Sequence, residues 1–270
     1  MGDDLVVADT AVFHHRRFDA AALADSRRGR RVSVCIPARD EEATVGAVVQ
    51  KVSAALTASG GGVDLVDEII VVDDGSTDAT AARARRAGAR VVAGGPGGKG
   101  EAMAAGLAAC DGDLVCFLDA DVENFGPHFV TGLLGPLLCD DDVMLVKGFY
   151  DRPLDGRPGE GGRVTELVAR PLIDLLFPHL AVVRQPLAGE TAAPRSVLEK
   201  VGFAPGYGVE LALLVDVADR FGIDAVAQVD LGVRIHRNRP LAELRRSATD
   251  VAAAALARAQ IPTAAPRRDR

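Results

Sequence analysis

The sequence predicts an α/β fold built on a mostly parallel sheet, and two observations carry that prediction. Four apolar runs rich in Val, Ile and Leu alternate with segments whose apolar residues recur at helical spacing, as in successive βαβ units. Each of the four runs also ends in a polar cluster, as expected where right-handed crossovers bring all carboxyl ends to one rim.

The first run, "RVSVCIPA" (31–38), reads as a buried strand and is followed by a helical pattern, "RDEEATVGAVVQKVSAAL". "VDEIIVVDDGS" is the second strand with its turn, and "TDATAARARRAG" a helix closed by Gly88. "ARVVAGG" is the third strand and "GKGEAMAAGLAAC" a helix of small residues. "GDLVCFLDADVEN" is the fourth strand, ending in Asp119 and Asp121. Strand side chains alternate with period two, so both aspartates would point one way if the strand continued, and they need a shared counter-charge.

The second half is less regular. "VMLVKGFYDRPLDG" reads as a strand entering an exposed, mobile "DGRPGEGG", and "GRVTELVARPLIDLLFP" as a helix interrupted at Pro171. The stretch from Gln185 to Gly222 reads as a loop, a short helix, a glycine-flanked turn and another helix. "IDAVAQVDLGVRIHRNRP" reads as a strand pair. The expected organisation is a polar, irregular extension over 1–30 and one domain over 31–262, halved at 124/125, with a disordered tail over 263–270.

Composition narrows the function classes. A net charge of −7 gives no reason to expect nucleic acid or an anionic membrane surface. No apolar run approaches the ~20 residues of a membrane span, and the acidic N-terminus lacks a secretory pattern. The four cysteines fit neither a zinc site nor a disulfide framework, so a cytoplasmic location is expected.

Each polar rim has a plain structural reading, a helix cap or a flexible turn, when taken alone. Four together suit a single site. The paired carboxylates fit a hard divalent cation, and Lys99 with the backbone N–H groups of "GGPGGKG" fits phosphates.

"VSVCIPARDEEATVGAVV", "EIIVVDDGSTDAT", "GGKGEAM" and "VCFLDADVEN" resemble the nucleotide-sugar half of glycosyltransferases with the Rossmann-like GT-A fold. "GGRVTELVARPL", "QPLAGETAA", "FAPGYGVELALLVD" and "QVDLGVRIHRNRPL" resemble the retaining glucosyl-3-phosphoglycerate synthases, over residues 12 to 262. The resemblance implies a GT-A fold with an acceptor-binding C-terminal half. It implies transfer of glucose from UDP-glucose to 3-phosphoglycerate with Mg²⁺ or Mn²⁺, by a homodimer. Mannosyl transfer from GDP-mannose is the alternative.

Site roles follow from the same resemblance. Pro37, Ala38, Glu41, Asp74 and Ser76 would hold uridine and ribose, and Gly98 and Lys99 the diphosphate or base edge. Asp121 and His236 would ligate the metal, with Asp119 beside them orienting the donor. Gly162, Arg163, Thr165 and Asn238 would bind the acceptor. Glu210 would sit at the reacting centre with Asp121 and Lys99, while Tyr207 and the loop from Leu187 to Thr191 shape the sugar pocket. The chain departs from the family's usual pattern in "PARDEE", "DAD" and the threonine of "AGETAA". A sugar-activating nucleotidyltransferase is disfavoured, because the first strand ends in Pro-Ala-Arg rather than a glycine-rich G-x-G-x-R loop.

Overall fold

The computed structural model describes residues 10–95, 97–153, 162–235 and 241–261. Eight strands form one sheet among them: β1 (Ala11–His14), β2 (Val32–Ala38), β3 (Glu68–Asp73), β4 (Arg90–Ala93), β5 (Leu114–Phe117), β6 (Leu145–Asp151), β7 (Thr191–Pro194) and β8 (Val226–Val233). Their order is β1-β8-β6-β7-β5-β2-β3-β4. Only β7 runs against its neighbours, β5 and β6; the remaining pairs are parallel.

The period-two pattern sorts the strand residues onto two cores. Val34, Ile36, Val71 and Cys116 face one, together with α2 (Val45–Leu56) and α5 (His128–Cys139). Cys35, Ile70, Val72 and Phe117 face the other, with α4 (Lys99–Ala109) and α8 (Val209–Phe221). Being covered on both faces, β2 and β3 read as continuous apolar runs rather than alternating ones. As expected from the sequence, β2 to β5 are joined by α2, α3 (Thr80–Arg86) and α4.

Several expectations need correction. Residues 11–30 are not irregular: β1 adds a strand beside β8, and α1 (Ala20–Asp25) starts at Asp19, whose carboxylate accepts from the Ala21 and Ala22 N–H groups. Arg27, within the basic cluster, ties α1 to the main fold through Asp67 at 2.6 Å. Part of the loop expected after Gln185 is β7, and 223–240 holds one strand, β8, rather than a pair among its described residues. The helical segment changes its hydrogen-bonding beside Pro171, where the sequence expected an interruption. A wider turn at Thr165–Ala169, closed by Arg170 N–H on the Thr165 carbonyl, runs into α6 (Arg170–Leu176), placing the proline in the first turn where no N–H is required.

The remaining helices, α7 (Arg195–Val201) and α9 (Leu241–Arg258), lie in the second half. The segment expected to be mobile, "DGRPGEGG", falls outside the described residues except for Gly162, as do His236, Asn238 and the tail. Among the described residues, no helix is long and apolar enough to cross a membrane.

Candidate active site

The loops leaving β2 and β3 are fastened to each other. Asp40, in the left-handed region at φ 54°, accepts from the Thr77 N–H at 2.8 Å and donates its own N–H to the Ser76 hydroxyl at 3.0 Å. The Glu41 N–H donates to Thr80 Oγ1 at 2.8 Å. This stitching leaves Pro37, Ala38, Glu41 and Asp74 on a cavity wall, whereas Ser76 serves the loop junction instead of lining the cavity. Burial is the main cause raising the Asp74 pKa; Arg39 at 3.9 Å opposes it, while Glu101 and Asp73 reinforce it.

At the end of β5 the counter-charges for the acidic pair are guanidinium and ammonium groups. Arg234 Nη2 bonds Asp119 Oδ2 at 2.9 Å and Asp121 Oδ1 at 2.5 Å. Lys99 Nζ, presented at the start of α4 by Gly98 at φ 117°, reaches Asp119 Oδ1 and Glu210 Oε1, each at 2.6 Å. Burial works against the charge of Asp119, yet Lys99 and Arg234 outweigh it and hold the carboxyl well below the usual range. Lys99 likewise overcomes burial through Asp119 and Glu210 and stays protonated above its ordinary pKa.

Beneath lies a second layer. The Tyr150 hydroxyl donates to Glu190 Oε2 at 2.5 Å and accepts from Arg152 at 2.6 Å and Arg234 at 3.0 Å. Glu190 is fully buried; its Oε1 lies 3.3 Å from Arg234 Nε, without a hydrogen bond between them. Burial, reinforced by Asp119 and opposed by Arg234, raises the Glu190 pKa. Gly189 closes the layer, since a Cβ there would collide with Asp119 Oδ1 and Lys99 Nζ.

These groups open into a cavity of about 260 Å³. One wall carries the β2 and β3 loop residues, the floor carries Lys99, Asp119, Asp121 and Arg234, and the far wall carries Arg152, Gly162, Arg163 and Thr165. Tyr207, Leu187 and Glu210 complete it, and α9 covers it with Leu244, Ser247 and Val251. The turn that carries Tyr207 is held by α9, whose Asp250 accepts the Tyr207 N–H at 3.1 Å.

The family model for glycosyl transferase family 2 matches residues 33–179. A glucosyl-3-phosphoglycerate synthase of Mycolicibacterium paratuberculosis is 52% identical over 258 residues, covering 90% of this chain and 76% of the relative. The chain belongs to glycosyl transferase family 2, in its glucosyl-3-phosphoglycerate synthase branch.

A synthase of Petrotoga mobilis is 41% identical over 91% of the chain and 79% of its own length. The crystal structure of the Mycobacterium tuberculosis synthase with phosphoglyceric acid has a TM-score of 0.86 at 47% identity, covering 94% of this chain and 89% of that one. Another structure of the M. tuberculosis protein holds Mn²⁺, UDP-glucose and phosphoglyceric acid, with a TM-score of 0.85 at 47% identity.

Within this synthase-family site, the donor set suits a hard divalent cation. Asp119 and Asp121 offer carboxylate oxygens at the cavity floor, Asp119 shared with Lys99 and Arg234 and Asp121 with Arg234 through its Oδ1. No group of three or more His, Cys, Asp or Glu side chains converges for a metal among the described residues, and His236 lies outside them.

The structure thus brings together Pro37, Ala38, Glu41, Asp74, Lys99, Asp119, Asp121, Gly162, Arg163, Thr165 and Glu210 around one space. It leaves Ser76 and Gly98 outside the lining, Gly98 acting by its turn and by its approach to the Gly206 backbone. Sequence reasoning missed Arg234 and Lys147. Arg234 stands two residues before the histidine that the motif singled out, and Lys147 is a lone basic residue inside an apolar strand, the one local signal it offers.

Proposed function

We propose that this chain transfers glucose from UDP-glucose to 3-phosphoglycerate, giving glucosyl-3-phosphoglycerate with retention at the anomeric carbon. The observation that carries the reading is the cavity's charge layout. An acidic pair bridged by Arg234, with Lys99 on Asp119, shares the cavity with Arg163, Thr165 and Gly162, so a cation-bound diphosphate and an anionic acceptor meet in one space.

Asp119 and Asp121, with His236, would hold Mg²⁺ or Mn²⁺, which when bound supplies positive charge to the departing diphosphate. Lys99 keeps its proton and lies fixed between two carboxylates, ready to stabilise the same charge without reorganising. Glu210 is only 5% exposed and its Oε1 is tied to Lys99 at 2.6 Å. A carboxylate so paired is a poor nucleophile, which favours front-face attack: the acceptor hydroxyl attacks C1 from the side the diphosphate leaves, and its proton passes to a diphosphate oxygen. Glu210 then positions Lys99 and the sugar. Arg163, Thr165 and Asn238 orient the acceptor's phosphate and carboxylate, which a guanidinium fork matches.

The test is nucleotide release with Mg²⁺, crossing UDP-glucose, GDP-mannose and ADP-glucose against D-3-phosphoglycerate. Release from UDP-glucose that depends on the acceptor is expected; release from GDP-mannose alone would replace the donor, and acceptor-independent release would remove the acceptor. Arg163→Ala should raise the acceptor KM by about tenfold or more, the scale of one charge-assisted hydrogen bond, while donor KM holds. An unchanged acceptor KM would contradict the role given to Arg163. Asp121→Ala should abolish metal-dependent turnover.

A further inference from the structure

Lys147, on β6, is 1% exposed and lies beneath the active-site floor, yet the chemistry above makes no use of it. Its ammonium donates to the Ala188 carbonyl at 2.6 Å. Two further bonds join the same stretches: the Gly148 N–H to the Glu190 carbonyl at 2.9 Å, and the Thr191 hydroxyl to the Val146 carbonyl at 2.7 Å. The loop entering β7 is therefore pinned to β6 at three successive points, and the first is a charged side chain. Gly189, the residue after Ala188, is the one whose Cβ would collide with Asp119 and Lys99.

We infer that Lys147 is a positioning residue for the transfer: it fixes the Ala188 carbonyl, and through it the Gly189 backbone that sets the Asp119–Lys99 pair. An apolar side chain would fill this core position without desolvating a charge. Burial is the largest influence on Lys147 and lowers its pKa from 10.5 to about 8. Glu210 on α8, Glu190 at the entry to β7 and Asp119 after β5 resist that fall, and Lys99 on α4 adds to it. The amino group thus sits in the field of the catalytic charges while bonding only backbone among the described residues. A packing residue needs neither property.

The inference deepens the glucosyl-transfer reading, and the experiment separates the two. Lys147→Met keeps length and removes the donor and charge. Its kcat should fall about tenfold or more, with both KM values within roughly twofold of wild type, because misplacement of a reacting constellation costs turnover rather than ground-state binding. A crystal structure of the variant should show the 188–191 backbone moved away from Asp119. An unchanged kcat, or a 188–191 backbone superimposing on wild type, overturns the inference. If Lys147→Met does not fold, Lys147→Gln carries the same two readouts with the same outcomes. Should the wild-type enzyme fail to glucosylate 3-phosphoglycerate, the function reading falls by itself, and the backbone comparison still decides Lys147.

Discussion

At the residue scale, Arg234 shows how charges with no single obvious partner are reconciled. It is 3% exposed, and its guanidinium faces Asp119, Asp121, Glu190 and the Tyr150 ring, the last at 5.3 Å from the ring centroid. Arg234→Leu would remove the cation shared by Asp119, Asp121 and Glu190, leaving Asp119 with Lys99, and should lower stability by about 3–5 kcal/mol, the cost of breaking a buried pair. Denaturant midpoints of the two proteins check this; equal midpoints would mean that Lys99 and Arg152 suffice. Gly189 is the complementary case. Gly189→Ala pushes a methyl against Asp119 and Lys99, so kcat should fall by about tenfold or more while the fold survives, a steric shift of about 1 Å being enough. Steady-state kinetics with a matched melting curve reads both halves of that expectation. The sequence singled out Asp119, Asp121 and Lys99 because strand ends and a glycine loop mark them locally. Nothing local marks Arg234 or Gly189, whose partners lie 44 to 115 positions away along the chain.

At the element scale, the antiparallel β7 decides the architecture of the floor. Running against β5 and β6, it is entered from the rim that its neighbours leave, so the loop at Ala188–Glu190 arrives among the carboxyl ends of β5 and β6. A four-residue strand of threonine, two alanines and proline carries almost no propensity signal, so the sequence pattern there predicts loop. Another short strand, β1, brings His14 and His15 against α5, where the ring of His15 lies 4.4 Å from that of His128 and 4.5 Å from that of His14. Burial first, then His128, His14 and Arg16, lower the His15 pKa from 6.5 to about 4, with Asp230 opposing. The unfolded chain therefore binds a proton that the folded one refuses between those values. Its stability should be full above pH 6.5 and fall as pH drops towards 4. Urea midpoints at pH 7 and pH 5 test this; the pH slope should shrink in His15→Asn, and an unchanged slope would assign it elsewhere.

At the scale of the whole molecule, the cavity is an assembly of segments from both halves. The wall built from the β2 and β3 loops, and the polar strand ends beside it, were legible because consecutive βα units repeat one local rule, polar residues after an apolar strand. The opposite wall was legible only through motif resemblance, since Arg163 and Glu210 lie on helices that reach the site by tertiary packing. The cover given by α9 was not legible at all. Leu244, Ser247 and Val251 recur at helical spacing like any amphipathic face, and only the docking of α9 on the Gly206–Gly208 turn makes that face a cavity roof.

The register of β1 bears on how the molecule comes to be folded. Ala11 pairs with Ala227, so β1 waits during synthesis for a partner made more than two hundred residues later. The βα units from β2 to β5 can assemble during synthesis from neighbours in sequence, but the β1–β8 pair forms only once β8 has been made. Until then β1 has no ladder to join, and its unpaired backbone is open to chaperones and to other copies of the chain.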